Sequence, residues 1–133
     1  MTYQDDVREF HKKAKQRISY KPTIPDFNER LLRQALISEE HNELQYEIRN
    51  VKGSGGSREE NLAKLLSEAV DLVYVVMGTC VAFGLPFDEA WNAIHKANMD
   101  KFKDGINKRP DGKLLKPKDW EPADILKIIQ DLK

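Results

Sequence analysis

The chain has one cysteine, three histidines and no net charge, and these shortages limit its function. Cys80 cannot form an intramolecular disulfide, so we expect a protein of a reducing compartment. Lysine plus arginine equals aspartate plus glutamate at 22 each. The bulk charge therefore predicts neither a nucleic-acid nor a membrane partner.

Targeting and phosphate-loop signals are also missing. Met1 is followed by charged residues such as Asp5 and Asp6 instead of an apolar signal-peptide core. The most apolar stretch, 69–85, contains Asp71 and falls short of a membrane span. Gly53–Ser57 is glycine-rich but lacks the Gly-Lys-Ser/Thr of a phosphate loop, so it predicts a linker between helices. We therefore expect a cytoplasmic protein.

Apolar spacing and helix-end signals predict an all-α fold, a bundle of four to five helices in a single domain, 1–133. Ser57 followed by Glu60 forms a capping box, and Gly84 is suited to end a helix. The predicted helices are 4–17, 26–50, 58–83, 88–103 and 122–133.

One of these helices carries more apolar surface than a small monomer can cover. The third is apolar on nearly every side between Leu62 and Phe83, so we expect it to be central. The fourth has a predicted core stripe of Trp91, Ile94, Met99 and Phe102. We therefore expect a homodimer or homotetramer with active sites near the interface.

Four acids stand out within the second and third helices. Glu40 and Glu43, like Glu68 and Asp71, are three residues apart, which puts each pair on one helical face. If the helices form an antiparallel hairpin, both pairs fall at about the same level and face each other. The sequence thus predicts a carboxylate cluster between two helices.

An ordinary solvated face is the simpler interpretation of acids on a helix, but it normally supplies salt-bridge partners. Of these acids and Glu39, only Glu68 has a lysine or arginine three or four residues away, namely Lys64. Acids that face the interior need a counter-charge, because burying an unpaired carboxylate is costly, and a cation can supply it. A di-iron site would require Glu-x-x-His, which is absent here. Oxygen ligands alone favour Mg²⁺, with Mn²⁺ as a possible substitute.

These residues resemble a known family. Glu39-Glu40-His-Asn-Glu43, followed by Glu68-Ala-Val-Asp71, is similar to the EExxE…ExxD signature of the all-α nucleoside triphosphate pyrophosphohydrolases. The run from His95 to Lys101 and the later Asp111-Gly-Lys113 resemble the MazG-like, phosphoribosyl-ATP-pyrophosphohydrolase-like branch. The resemblance implies hydrolysis of a (deoxy)nucleoside triphosphate to a monophosphate and pyrophosphate, for nucleotide-pool control or housecleaning.

The resemblance also implies residue roles. Glu40, Glu43, Glu68 and Asp71 would hold the metal, and Glu39 would be an extra ligand or orient the attacking water. The expected substrate contacts are basic or amide side chains: Asn98, Lys101, Arg109, Lys113 and Lys116. For Arg109 and Lys116 an ordinary solvated loop is an equally good interpretation.

Two alternatives stay open at this point. One is phosphoribosyl-ATP hydrolysis itself; we disfavour it because residues 1–25 look like an extension typical of housecleaning enzymes. The other is a non-catalytic helical module that binds nucleotide or metal. The roles of His95 and Trp120 are left open by the sequence.

Overall fold

The computed structural model describes residues 1–53 and 55–132, and within them it is helical without a β-strand. The all-α prediction is confirmed. The helices are α1 (Tyr3–Ala14), α2 (Phe27–Asn50), α3 (Arg58–Phe83), α4 (Phe87–Met99) and α5 (Ile125–Gln130), with a 3₁₀ turn, Asp100–Phe102, after α4. Ser54 of the predicted linker and Lys133 of the last predicted helix lie outside the described residues.

The chain divides into two compact units, Met1–Leu85 and Pro86–Lys133. The first contains α1, α2 and α3, and the second contains α4, the 3₁₀ turn and α5. The single domain expected from the sequence stays a prediction.

The α2–α3 hairpin is the base of the first unit. Each helix begins at a side-chain cap: the Asp26 carboxylate accepts from the backbone N–H of Glu29, and Ser57 forms the predicted capping box with Glu60. At the other end of α3, Gly84 adopts the left-handed conformation with φ of 69°. The short connection after Asn50 makes the two packed helices antiparallel, as predicted.

The connector after α1 closes the carboxyl end of α3. The backbone N–H of Ser19 donates to the carbonyl of Val81 at 3.0 Å, and that of Thr23 donates to the carbonyl of Phe83 at 2.9 Å. The Ser19 hydroxyl also donates to the Ala82 carbonyl at 2.7 Å. These bonds satisfy carbonyls that a helix end would otherwise leave without partners.

A buried polar cluster fixes α1 against the hairpin. His11 and Arg33 are only 3% and 4% exposed. Nδ1 of His11 lies 2.8 Å from the carbonyl of Arg17, so it carries the proton and leaves Nε2 as the acceptor. Nη1 of Arg33 lies 3.3 Å from that Nε2, and Arg33 Nε lies 3.7 Å from Oε2 of Glu29. Burial, the largest cause, lowers the pKa of His11, which keeps the ring neutral.

The α3 helix leaves an apolar face uncovered. Of its most apolar 18-residue window only 22% is buried, and by length and composition alone this helix could cross a membrane. Leu66 is 64% exposed and Val70 54%. The face continues into a groove of about 550 Å³ beside α1, lined by Tyr3, Val7, Val73 and Tyr74 among others. As predicted, α3 is the central helix of its unit, but the chain covers only part of it.

In the second unit, the predicted core stripe of α4 is wrong for this chain. Trp91 is 63% exposed and stacks on Phe87, and Ile94, Met99 and Phe102 are also exposed. The buried side instead contains Ala97, with the half-buried Ala90 and Ala93 at helical spacing. The small alanine side chains let the following loop come close to the α4 backbone. The buried face of α4 is therefore the one with small side chains and not the one with large apolar side chains.

Some predicted helix ends also differ. The first helix stops at Ala14 because Lys15 adopts a left-handed conformation, with φ of 58°. The fourth ends at Met99, so Lys101 lies in the 3₁₀ turn. The last begins at Ile125, capped by Asp124, instead of at Pro122.

We predict that Gly78→Ala destabilises the protein. A Cβ at position 78 would lie 2.7 Å from Nη1 of Arg33 and 2.9 Å from Nε2 of His11. Overpacking of this kind costs about 1–3 kcal/mol, partly offset by roughly 1 kcal/mol of helix propensity gained by alanine. Chemical denaturation measures the free energy of unfolding. Gly53→Ala is the matched control, because a Cβ there meets no atom within 4 Å. Equal stability of the two variants would contradict the buried contact.

Candidate metal centre

The α2–α3 packing brings three carboxyl groups from the predicted cluster together. Ligand oxygens of Glu40, Glu68 and Asp71 all lie within 4.8 Å of one another. Glu40 and Glu68 are half-buried, and Asp71 is exposed, so the cluster opens to solvent on one side. This is the arrangement that the facing i, i+3 pairs predict. It offers three oxygen donors to one cation.

Glu43, the fourth predicted ligand, lies beside this cluster. Its carboxyl group is in contact with that of Glu68 and also repels that of Glu40. Two ionised carboxylates have no hydrogen to share, so the contact with Glu68 becomes a hydrogen bond only when one of them is protonated. Glu39, the predicted catalytic residue, is exposed on α2 and adds to the negative charge around Glu40.

Crowding raises the pKa of two members of the cluster. The contact with Glu43 is the largest cause for Glu68, followed by loss of hydration and repulsion from Glu43, Asp71 and Glu40; together they raise the pKa of Glu68 to about 7. Loss of hydration is the largest cause for Glu40, whose pKa is also raised. Two protons or one divalent cation would relieve this repulsion.

The cluster also contains carboxylate oxygens that are shielded from water and have no hydrogen-bond partner among the described residues in its place. Oε2 of Glu40 and Oε2 of Glu68 are inaccessible to solvent and have no hydrogen-bond partner among the described residues. Such atoms are costly in an ionised carboxylate. A bound cation would satisfy them, which is the observation that supports a metal at this position.

Glu47 was missed by the sequence analysis. Its Oε2 is likewise inaccessible to solvent and has no partner within the described part of the chain. Glu47 lies seven residues after Glu40, two turns along the same face of α2. It also lacks a lysine or arginine three or four residues away, so the criterion applied to the other acids would have found it.

The predicted substrate contacts all lie in the second unit. Asn98 is exposed near the end of α4, one turn before Lys101. Lys101 and Lys116 place their ammonium groups 5.1 Å and 5.2 Å from the centre of the Trp120 ring. The sequence left Trp120 without a role, and the structure makes it the residue that these two lysines share.

The other two predicted contacts are in a turn. Nη2 of Arg109 lies 2.6 Å from Oδ2 of Asp111, whose Oδ1 also accepts the backbone N–H of Lys113 at 3.1 Å. The backbone N–H of Gly112 donates to the Arg109 carbonyl at 2.9 Å, which closes a β-turn. Asp111 therefore neutralises much of the charge of Arg109, while the side chain of Lys113 is exposed.

Comparison with known proteins points to one family. The family model of phosphoribosyl-ATP pyrophosphohydrolase matches residues 7–98. No curated protein matches the chain. The matched segment contains every predicted metal ligand and Asn98, but it ends before Lys101. It also contains most of residues 1–25, so that segment is no longer a reason to set phosphoribosyl-ATP aside.

We predict that the acidic cluster contributes less to the stability of the metal-free protein as the pH rises from about 4.5 to about 7. The folded state holds a proton on Glu68, with a pKa of about 7, that the unfolded chain releases near its ordinary value of 4.5. A group that is more basic when folded stabilises the fold at low pH and loses that effect as it ionises. Mg²⁺ should therefore raise the unfolding temperature more at pH 8 than at pH 5.5.

Thermal unfolding in EDTA and in Mg²⁺ at both pH values measures this effect. Glu68→Gln should flatten the pH dependence seen in EDTA, whereas Glu59→Gln, an exposed acid on the same helix, should leave it unchanged. An equal pH slope in Glu68→Gln and the parent protein would argue against the cluster as its source.

Proposed function

Because the chain belongs to the phosphoribosyl-ATP pyrophosphohydrolase family and is a pyrophosphohydrolase, we propose that it cleaves a (deoxy)nucleoside triphosphate between the α- and β-phosphates. The products would be a nucleoside monophosphate and pyrophosphate, and the role would be nucleotide-pool control in the cytoplasm. The observation that carries this proposal is the convergence of Glu40, Glu68 and Asp71 within 4.8 Å. A purely structural helix pair needs no such convergence.

We propose Mg²⁺ as the cofactor, held by Glu40, Glu68 and Asp71 with Glu43 beside them. All the donors are carboxylate oxygens, which suit Mg²⁺ or Mn²⁺ rather than a soft metal. When bound, the cation would neutralise phosphate oxygens and make a coordinated water more acidic.

Glu39 is our candidate for orienting the attacking water and accepting its proton. It is exposed and next to Glu40 in sequence, so its carboxylate is free to act without being a main ligand. Lys101 and Lys116 would bind phosphate oxygens through charge-assisted hydrogen bonds. Asn98, Lys113 and Arg109 are proposed as further substrate contacts, and Arg109 would have to leave Asp111 to serve.

Phosphoribosyl-ATP is the second candidate substrate, and the family match is equally consistent with it. It contains the same triphosphate, so the same carboxylates and lysines would serve. Phosphoribosyl-ATP differs from a nucleoside triphosphate by an added ribose phosphate, so the triphosphate shared by both does not distinguish them.

The first prediction for this proposal is metal-dependent release of pyrophosphate. An assay over all NTPs, dNTPs and phosphoribosyl-ATP, with Mg²⁺, Mn²⁺ or EDTA, identifies the substrate. Glu68→Gln and Asp71→Asn should each reduce kcat by at least about 100-fold, because the loss of several kcal/mol of charge stabilisation has that effect. Glu121→Gln, an exposed acid outside the cluster, is the control.

The same assay separates the role of Glu39 from that of the metal ligands. Glu39→Gln should lower kcat by about 100-fold, the usual range for general-base catalysis, while the Mg²⁺-dependent rise in unfolding temperature is retained. Orthophosphate as the product, or full activity in Asp71→Asn, would contradict the proposal.

We also propose that two copies of the chain pack through the uncovered face of α3 and the adjacent groove. A soluble protein rarely exposes so long an apolar stripe, and a second copy offers the same stripe in return. Light scattering should give twice the 15.4 kDa chain mass, or four times if dimers pair. Leu66→Lys should yield monomers, whereas Ile24→Lys, an exposed residue of the connector, should not. A monomeric parent protein would exclude this assembly.

A further inference from the structure

Trp120 holds two lysines against one ring. Its indole N–H donates to the carbonyl of Ala97 at 2.6 Å, which fixes the ring beside the end of α4. The ammonium groups of Lys101 and Lys116 lie 5.1 Å and 5.2 Å from the ring centre. Both distances are within the range of a cation–π interaction. Residues fifteen positions apart in the sequence are thus brought to one place by a single side chain.

The acids next to these residues in the sequence are paired with other lysines. Asp100, next to Lys101 in sequence, lies 3.4 Å from the ammonium of Lys96. Asp119, next to Trp120, lies 3.0 Å from that of Lys103. Among the described residues no carboxylate pairs with Lys101 or Lys116. Two like charges therefore meet at one ring.

From these contacts we infer that Trp120 is a positioning residue that presents Lys101 and Lys116 as one binding site for a polyphosphate anion. Because both ammonium groups lie close to the same ring centre, their separation is at most about twice that distance. An anion with several phosphate oxygens can contact two ammonium groups at such a separation. Because lysines occupy the ring, Trp120 does not serve as a stacking platform for a base. The inference rests on the proposed function for its ligand, the phosphate chain of substrate or product.

Binding of inorganic pyrophosphate to the full chain in EDTA tests the inference without metal or turnover. Calorimetry at constant ionic strength should show saturable binding. Lys101→Met and Lys116→Met should each weaken it about tenfold, because each variant removes a charge-assisted hydrogen bond to the anion. Lys118→Met, two residues further along the same loop, should have little effect. Equal weakening by Lys118→Met would indicate only diffuse charge and overturn the site.

Substitutions of Trp120 separate positioning from general stability. Trp120→Leu should weaken pyrophosphate binding about as much as removing both lysines, and Trp120→Phe should restore most of it because it keeps an aromatic face. In a chain lacking both lysines, Trp120→Leu should cause no further loss, since residues that act as a unit are not additive. An additive loss would overturn the inference. If Trp120→Leu fails to fold, pyrophosphate binding by Trp120→Phe and by the lysine variants still tests the inference.

Fluorescence supplies a direct signature. In a Trp91→Phe background Trp120 is the only tryptophan, and its emission should change when pyrophosphate binds the two ammonium groups that lie against its ring. No change at saturating pyrophosphate would contradict the site. Pyrophosphate binding without hydrolysis of any nucleotide would contradict the proposed function but support this inference. Hydrolysis of a nucleotide without pyrophosphate binding would support the proposed function but contradict this inference.

Discussion

Repulsion among carboxylates held between α2 and α3 is the constraint on which the rest of the structure depends. The apolar contacts that pack these helices also fix Glu40, Glu68 and Asp71 within 4.8 Å, where they cannot separate to lower their energy. The favourable packing of α2 on α3 therefore offsets the repulsion between these carboxylates. Such an arrangement is typical of functional sites that bind a cation. The raised pKa of Glu68 and the unpartnered oxygen atoms are two signs of the same repulsion.

A second polar cluster lies farther along the same helices, and its charges are balanced. Arg33 is seven residues before Glu40 on α2, and Gly78 is seven residues after Asp71 on α3, so in antiparallel helices both lie two turns from the acids. There Arg33 is buried against His11 and Glu29. The absence of a side chain at Gly78 makes room for it. This cluster joins α1 to the hairpin that holds the acidic cluster.

Local signals predicted much of this fold, and distant contacts account for what was missed. Caps at Ser57 and Gly84 lie within a few residues of the helix ends they define, so α3 could be predicted at both ends. The acid pairs depend only on helical spacing and a short hairpin, so their meeting was also predictable. The buried face of α4 was not, because a loop more than twenty residues later packs on Ala97 through Trp120. The partnership of His11 with Arg33 likewise spans 22 residues and has no local pattern.

The hydrogen bonds between the connector and the end of α3 bear on the order in which the chain folds. Ser19 and Val81 are far apart in sequence, and closing such a loop in a disordered chain is entropically costly. The α2–α3 hairpin has a short connection and no comparable cost. Once the hairpin exists, it supplies a formed surface for the connector, so we expect α1 to dock after the hairpin. Within the first unit, the amino-terminal helix is then expected to form its contacts last and to lose them first.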